Sequence, residues 1–510
     1  MKHMIRFSCG LVLLTLGLLM TGCQKSGNYY DVIPKDASVV VAVNAQNIME
    51  KGDIIALLQN LRPMLESGTD GQTLQQVEAI LNNTTESGIA LNEKVFVFGM
   101  LEQQAGGIVM KVNNENKLTE LFTTLQKEGI CEIPVKADGF YQTTLKDGVL
   151  CAYDKNRLLI MLAEMPSTRK VLGQWMDQPV ENSIASGESF QKMIAQPDDL
   201  SFMMVMGDLY KLYAARTGME ISGVIDMSKL DMLGGITFEK GRITSHFGYF
   251  LADKAVMEQY KQQMSIYGKL NNSFLECFPA SALLYMTANV NGEKLYKLLE
   301  TYNFWQTLKI APGNDQIDVQ KLTGSFAGDF SMGLLNVTET GFAAVTAYAQ
   351  VNDNYPVQAL AGLAQQFSQY ADLKAIGTDA YEVNIRMLNM KIWFGLQDKY
   401  LYLTNDRNIY EKIGQKVADP LSESSQATNL KGAYSAFILN VDALMQLPVV
   451  QMMWGALGSY NPILKNILSE CEYIESYATT PIESTVNIYV KNKEENVLKL
   501  MVQGGQRLAL

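Results

Sequence analysis

Histidine is nearly missing from this chain: there are two in 510 residues, His3 and His246. One histidine beyond the N-terminal segment excludes a multi-histidine zinc site. A Ser-His-Asp triad would have to rest on His246 alone, and no GxSxG elbow accompanies it. His246 stands in GRITSHFGYF and reads as a strand residue on the polar face. Phosphate-cradling loops are absent as well. With neither a Walker loop nor GxGxxG, nucleotide binding has no anchor. No CxxC occurs, which removes the zinc-ribbon and dithiol-redox readings. Basic arms and stripes are lacking too. The formal charge is −11, and the first 22 residues hold Lys2 and Arg6 without any acid, so the rest is more acidic still. Such a surface repels phosphates and excludes nucleic acid as a partner. Past the N-terminus no apolar run reaches spanning length.

What is present suffices for a core. Hydrophobic residues make up 47% and charged residues 19%, the composition of a folded chain with room for more than one domain. The opening, MKHMIRFSCGLVLLTLGLLMTGC, has Lys2 and Arg6, then an apolar stretch from Phe7 to Met20, then Thr21-Gly22-Cys23. It resembles the bacterial lipoprotein signal, with Met20 where that pattern prefers Leu. The resemblance implies removal of residues 1–22 and acyl chains, palmitate among them, on Cys23. Two or more chains anchor stably in a bilayer. Residues 23–30 then form a lipidated tether, whose QKSGNYY spans at most about 25 Å. Gln24 stands where enterobacterial inner-membrane retention wants Asp, and acids do not crowd the cysteine. By that resemblance the expected address is the outer membrane, facing the periplasm. Cell surface and inner membrane remain the alternatives.

The chain also repeats itself. VIPKDASVVVAVN from Val32 resembles CFPASALLYMTANVN from Cys277, with Pro34 matching Pro279 and Asn44 matching Asn289. GGIVMKVNNENKLTELF from Gly106 resembles AAVTAYAQVNDNYPVQAL from Ala343. CAYDKNRLLIML from Cys151 resembles FGLQDKYLYLTN from Phe394, so that Asp154 matches Asp398. LSFMMVMGDLYKL from Leu200 resembles YSAFILNVDALMQL from Tyr434, with Asp208 near Asp442. ITFEKGRITSHFGYF from Ile236 resembles VNIYVKNKEENVLKLMV from Val486. Five matches in one order, each about 240 residues apart, point to tandem duplication. The halves would be 31–270 and 271–510, joined near the polar YGKLNNS, Tyr267 to Ser273.

Within the halves, Val39 to Val43 reads as a buried strand. Gly139 to Leu145, Val149 to Asp154 and Arg157 to Leu162 read as consecutive strands joined by short turns, hence antiparallel. Leu118, Leu121, Phe122 and Leu125 mark one helix face; Leu74, Val77, Ile80 and Leu81 another; Leu295, Leu298, Leu299 and Tyr302 a third. The class is α+β, two similar halves, each a mainly antiparallel sheet covered by helices. Taken together, the lipobox, VIPKDASVVVAVN and SGIALNEKVFVFG from Ser87 resemble uncharacterised Bacteroidetes lipoproteins known only as a domain of unknown function. That family supplies no catalytic residues to carry over.

Candidate chemistry is sparse. Ser189-Phe190-Gln191-Lys192 has the SxxK spacing of penicillin-recognising enzymes but no KTG or SDN companion, and Ser189 reads as a helix cap. Asp198-Asp199, Asp315 and Asp318 are carboxylates in loop-like stretches, read as solvated. Asp208 and Asp442 read as helix-start residues favouring the dipole. Cys131, Cys151, Cys277 and Cys471 are either free buried thiols or disulfide partners, with Cys131–Cys151 the most local option. The 27 methionines and 24 tyrosines suit cores and strands. The expectation is a non-catalytic binding or scaffolding protein with no metal or cofactor. It would meet the bilayer through Cys23 and hold an envelope protein, peptide or glycan in the groove between its halves. The alternative is an envelope hydrolase using carboxylates or the Ser-Lys pair.

Overall fold

The structure is a computed structural model that describes residues 27–56, 86–145, 148–163, 168–218, 229–300, 317–337, 342–457 and 468–509. The expected signal segment 1–22, the lipidation residue Cys23, the helix around Leu74 to Leu81, Tyr302 and Asp315 lie outside the described residues.

Among the described residues, twenty-one strands form one antiparallel sheet. The first ten are β1 (Val39–Asn44), β2 (Lys94–Met100), β3 (Ala105–Lys111), β4 (Val135–Ala137), β5 (Phe140–Thr144), β6 (Leu150–Tyr153), β7 (Arg157–Ala163), β8 (Leu200–Val205), β9 (Asp231–Glu239) and β10 (Arg242–Phe250). A two-residue strand, β11 (Tyr267–Gly268), precedes the second ten. These are β12 (Leu284–Asn291), β13 (Phe326–Val337), β14 (Ala343–Val351), β15 (Ala371–Gly377), β16 (Ala380–Ile385), β17 (Met390–Gln397), β18 (Tyr400–Thr404), β19 (Ser435–Leu439), β20 (Cys471–Thr480) and β21 (Glu483–Val490).

The order across the sheet is palindromic. From one edge it runs β4-β5-β6-β7-β3-β2-β1-β8-β9-β10. It then crosses to β21 and continues β20-β19-β12-β13-β14-β18-β17-β16-β15. Counted from the start of its own run, passing over β11, each set of ten pairs in the same order. The two sets meet at their tenth strands.

Alternation explains which side is buried. In β1, Val40 and Ala42 are buried while Val39, Val41 and Val43 are half-buried. The continuous valine run is therefore not buried on both faces as its composition suggests. Val40 and Ala42 join Phe96, Phe98, Phe190, Met203 and Leu233 in one core. Tyr285, Ala436, Ile438 and Tyr473 join Phe278 and Tyr348 in another. Each large apolar side chain so buried contributes about 1.5–3 kcal/mol. Outer strands are covered by helices. Leu118 and Phe122 of Glu115–Lys127 pack on Cys151, Tyr153 and Leu158. Val357 and Ala361 of Tyr355–Gln366 pack on Val383 and Phe394. No helix of the described residues is long and apolar enough to cross a membrane.

Four boundaries differ from the sequence reading. Tyr29 and Tyr30 are not tether. Tyr29 lies in a 3₁₀ turn, Tyr29–Val32, is buried, and donates its hydroxyl to Lys94 O at 2.7 Å. A polar-looking QKSGNYY thus enters the core at its aromatic end. The expected join near Tyr267 also does not stand apart from the strands that follow it. β11 pairs with Val290 and Asn289 of β12, and Leu270 N–H donates to Ala433 O. Both contacts tie residues 267–270 to the second set of strands. The matched asparagines also part ways: Asn44 caps the helix after β1, accepting from Asn47 N at 3.1 Å. Asn289 does not: β12 runs on to Asn291, which accepts from Lys294 N, while Asn289 Nδ2 donates to Asp329. Finally, the fifth repeat match sets Ile236 of β9 beside Val486 of β21, a ninth strand against a tenth. Strand–turn phrases look alike whatever their place in the order.

Candidate ligand groove at the β10–β21 seam

The two sets of strands meet with His246 opposite Thr485. An antiparallel pair has a local two-fold axis, and about this one, which passes between Ser245 and Val486, His246 corresponds to Asn487, Gly248 to Tyr489 and Glu483 to Arg242. The two ends of the seam differ accordingly. At one end Asn487 fills the space. Its Oδ1 accepts from Thr244 Oγ1 at 3.0 Å, and its Nδ2 donates to Glu475 Oε2 at 3.2 Å. Glu475, fully buried, also accepts from Asn429 Nδ2 and Tyr489 Oη. At the other end Gly248 supplies no side chain, and a Cβ there would come 2.8 Å from Glu483 Cγ. A cavity of about 440 Å³ opens, lined by Lys192, Gln196, Leu233, His246, Tyr249, Phe250, Glu483, Ser484 and Thr485 among others. A second space of about 690 Å³ shares Lys192, Tyr249, Phe250 and Glu483 with it and adds Met257, Pro481 and Ile482. Together they form a groove walled by both sets of strands.

Behind His246 lies an acid that the sequence reading placed in solvent. Asp198 is 7% exposed and Asp199 1%. Their loop tucks under β9 because Gly235 leaves room. A Cβ on Gly235 would stand 2.1 Å from Asp198 Oδ2. Asp198 Oδ1 accepts from Thr237 Oγ1 at 2.9 Å. Its Oδ2 is buried with no hydrogen-bond donor, 3.5 Å from His246 Nε2. Gln196 Oε1 and Ser201 Oγ are likewise buried and unpartnered. Asp199 is fully engaged by Lys51 Nζ at 2.6 Å, Asn47 Nδ2 at 2.9 Å and Phe238 N at 2.7 Å. It therefore serves structure, and Asp198 stays buried behind His246. His246 itself is 44% exposed and lines the cavity rather than open solvent.

The SxxK residues are held apart by their partners. Ser189 lies inside the helix Glu188–Ile194, whose cap is Gly187, and donates its hydroxyl to Asp231 Oδ2. Lys192 Nζ sits 3.4 Å from Glu188 and 3.8 Å from the centre of the Phe250 ring. Ser189 is thus bound to an acid, and the lysine is a groove wall. Asp208 lies in the first turn of Met206–Thr217 and accepts from Ser38 Oγ at 2.7 Å. Asp442 lies in the first turn of Val441–Gln446 and pairs with Lys491 at 2.6 Å. Asp318 caps its helix by accepting from Lys321 N. Among the described residues Cys131, Cys151, Cys277 and Cys471 are free, and burial pushes the Cys151 thiol up to about 12 and the Cys277 and Cys471 thiols up to about 11. Such thiols carry little thiolate and are poor nucleophiles. Among the described residues no three His, Cys, Asp or Glu side chains come together to hold a metal.

Sequence reasoning had no means to find Gln196, Gly248, Glu483 and Thr485. The nearest signal was the pairing of the last strands of each repeat, which was read one strand out of place. Asp231 offers a local test. Burial raises its carboxyl above the ordinary range, against the lowering effect of the Ser189 hydroxyl. An acid raised on folding favours the native state below its unfolded pKa and loses that contribution as pH rises through the folded value. Asp231→Asn is expected to raise Tm relative to wild type near pH 7 and to leave it unchanged at about pH 3.5. Calorimetry at the two pH values checks the difference.

A family model described as a domain of unknown function, DUF4836, matches residues 29–498. No curated protein matches the chain. Among solved structures, crystal form I of TP0453 is 8% identical, covering 47% of this chain and 86% of that one at a TM-score of 0.27. Crystal form IV of TP0453 is 11% identical, covering 45% and 83% at a TM-score of 0.24.

Proposed function

The chain belongs to the DUF4836 family of unknown function, and from that premise we propose that it is a non-catalytic binding protein that takes its ligand in the groove at the β10–β21 seam. The observation that carries the reading is the open end of the seam. There Gly248 supplies no side chain, and a cavity bounded by both sets of strands opens with His246 on its wall and Asp198 buried behind that histidine. Strand order supports a further part of the proposal, that the two sets descend from one duplicated unit and that the groove is the space between its copies. Sites at such junctions are common.

The enzyme reading has less behind it. Among the described residues no hydroxyl donates to His246, Ser189 is bound to Asp231, and the three most buried thiols carry raised pKa values. An acid–base pair without a nucleophile or a second opposed carboxylate lacks the parts of a hydrolase. The test is a thermal-shift screen of the protein against fractionated envelope extract, alongside Gly248→Asn, which places a side chain in the open end. A fraction that raises the Tm of wild type but not of Gly248→Asn supports groove binding. Equal shifts for both place binding elsewhere.

The address completes the proposal. Cys23, acylated after removal of residues 1–22, would hold the body close to the outer membrane on its periplasmic side. Since the folded body begins at Tyr29, the tether is at most five residues long after Cys23, about 18 Å fully extended. Cys23→Ala is expected to move the protein from the membrane fraction to the soluble fraction. Persistence in the membrane pellet would refute lipid anchoring through this residue.

A further inference from the structure

Strand direction alternates across an antiparallel sheet, so strand ends sort onto two opposite rims. Followed from pair to pair, one rim carries the starts of β2, β7, β14, β15 and β17 and the ends of β3, β13, β16 and β18. The chain enters the fold on this rim. Asn156 Nδ2, in the turn before β7, donates to Gly27 O, and the Tyr29 hydroxyl donates to Lys94 O at the start of β2. On the same rim, in the second set of strands, large apolar side chains stand in solvent. Met387 and Leu388 lie in the turn between β16 and β17, Phe367 and Tyr370 precede β15, and Val337 ends β13. Met387 is 81% exposed, and the other four are exposed too. Arg386 clamps two of these segments together. Its amide donates to Tyr370 O at 3.1 Å, and its guanidinium donates to Ser368 O and Gln369 O and pairs with Asp372 at 2.5 Å. Glu382 is held by Lys391 at 2.8 Å. Both acids are thus compensated, whereas a bare charge would oppose burial. Tyr370 adds an aromatic ring with a polar tip, a side chain that membrane–water interfaces favour. Exposed apolar groups gathered in this way mark an interaction surface, and a protruding turn offers no concavity to a small ligand. The tether selects the partner. It leaves from this rim and is at most five residues long after Cys23, so it turns this rim toward the membrane. Resting on the proposal that Cys23 is acylated, we propose that this rim is a second membrane contact. Met387, Leu388 and Phe367 enter the acyl boundary of the bilayer that holds Cys23, and Tyr370 sits at headgroup level.

The experiment uses the acylated chain in vesicles of phosphatidylethanolamine and phosphatidylglycerol whose acyl chains carry bromine, a contact quencher of tryptophan. Two variants each add one tryptophan at an exposed site: Met387→Trp on this rim, and Ile133→Trp beside the Cys131–Leu145 bridge on the opposite rim. Emission is read as the difference from wild type, which removes the four native tryptophans. The expected result is loss of more than half of the added emission in Met387→Trp and almost none in Ile133→Trp. Cosedimentation of the same samples reports separately on the anchor. Protein that sediments with the vesicles while Met387→Trp stays unquenched overturns the inference and leaves lipid anchoring through Cys23 standing. Protein that does not sediment overturns the anchor and the inference with it. Equal quenching at the two positions overturns the assignment to this rim. A Met387→Trp signal that vesicles leave unchanged but envelope protein extract shifts gives the rim to a protein partner and overturns the bilayer contact.

Discussion

Asp199→Ala is expected to lower stability by about 3–5 kcal/mol, the usual cost of removing one partner from a buried charge pair. The carboxylate is 1% exposed and holds two elements to its own loop. Lys51 and Asn47 bring in the helix Ala45–Gly52 that follows β1, and the Phe238 amide brings in β9. Without the carboxylate, the Phe238 N–H loses its acceptor inside the core and Lys51 loses its anion. Asp199→Asn keeps the shape and one acceptor oxygen, so its loss should be smaller. Denaturant unfolding of the two variants checks both statements. A change below about 1 kcal/mol for Asp199→Ala would mean that solvent reaches this loop, contrary to its burial.

Gly235→Ala should have the second largest effect, and it acts on the groove itself. The added methyl would lie 2.1 Å from Asp198 Oδ2 and 2.2 Å from Asp198 Cγ. The backbone cannot slide away, because Gly235 is paired with Ser201 on one side and His246 on the other. The carboxylate must be expelled instead. Overpacking of this kind costs about 1–3 kcal/mol, and the acceptor that faces His246 is lost with it. Removing the obstructing carboxylate in Gly235→Ala/Asp198→Ala should restore part of the stability. The coupling between the two changes is expected to exceed about 1 kcal/mol, as for residues in direct contact. Additive losses would show that Gly235 makes room for something other than Asp198.

Much of this fold was legible in the text of the chain. Alternation and short polar turns placed the hairpin strands β5 to β7 within a residue or two. The spacing of Leu118 and Phe122 identified the face that the helix Glu115–Lys127 buries. Four of the five repeat matches fall on strands of the same rank in their runs. What could not be read was burial that depends on distant glycines. Asp198-Asp199 sits in QPDD, a phrase that looks solvated until Gly235, Lys51 and Phe238 surround it. Seam pairing was equally hidden. Nothing local says that β10 and β21 should lie side by side, so His246, Lys192 and Glu483 appeared as unrelated residues. The groove arises from that long-range pairing together with one glycine, Gly248, where the corresponding position holds Tyr489.

The central claim is that this groove is where the protein binds. Hydrogen exchange measures it most directly, with and without an envelope fraction that stabilises the protein. Slowed exchange is predicted in the peptides covering residues 192–198, 246–250 and 479–485, and nowhere else to the same degree. Protection confined to other strands, with these three segments unchanged, would contradict the account.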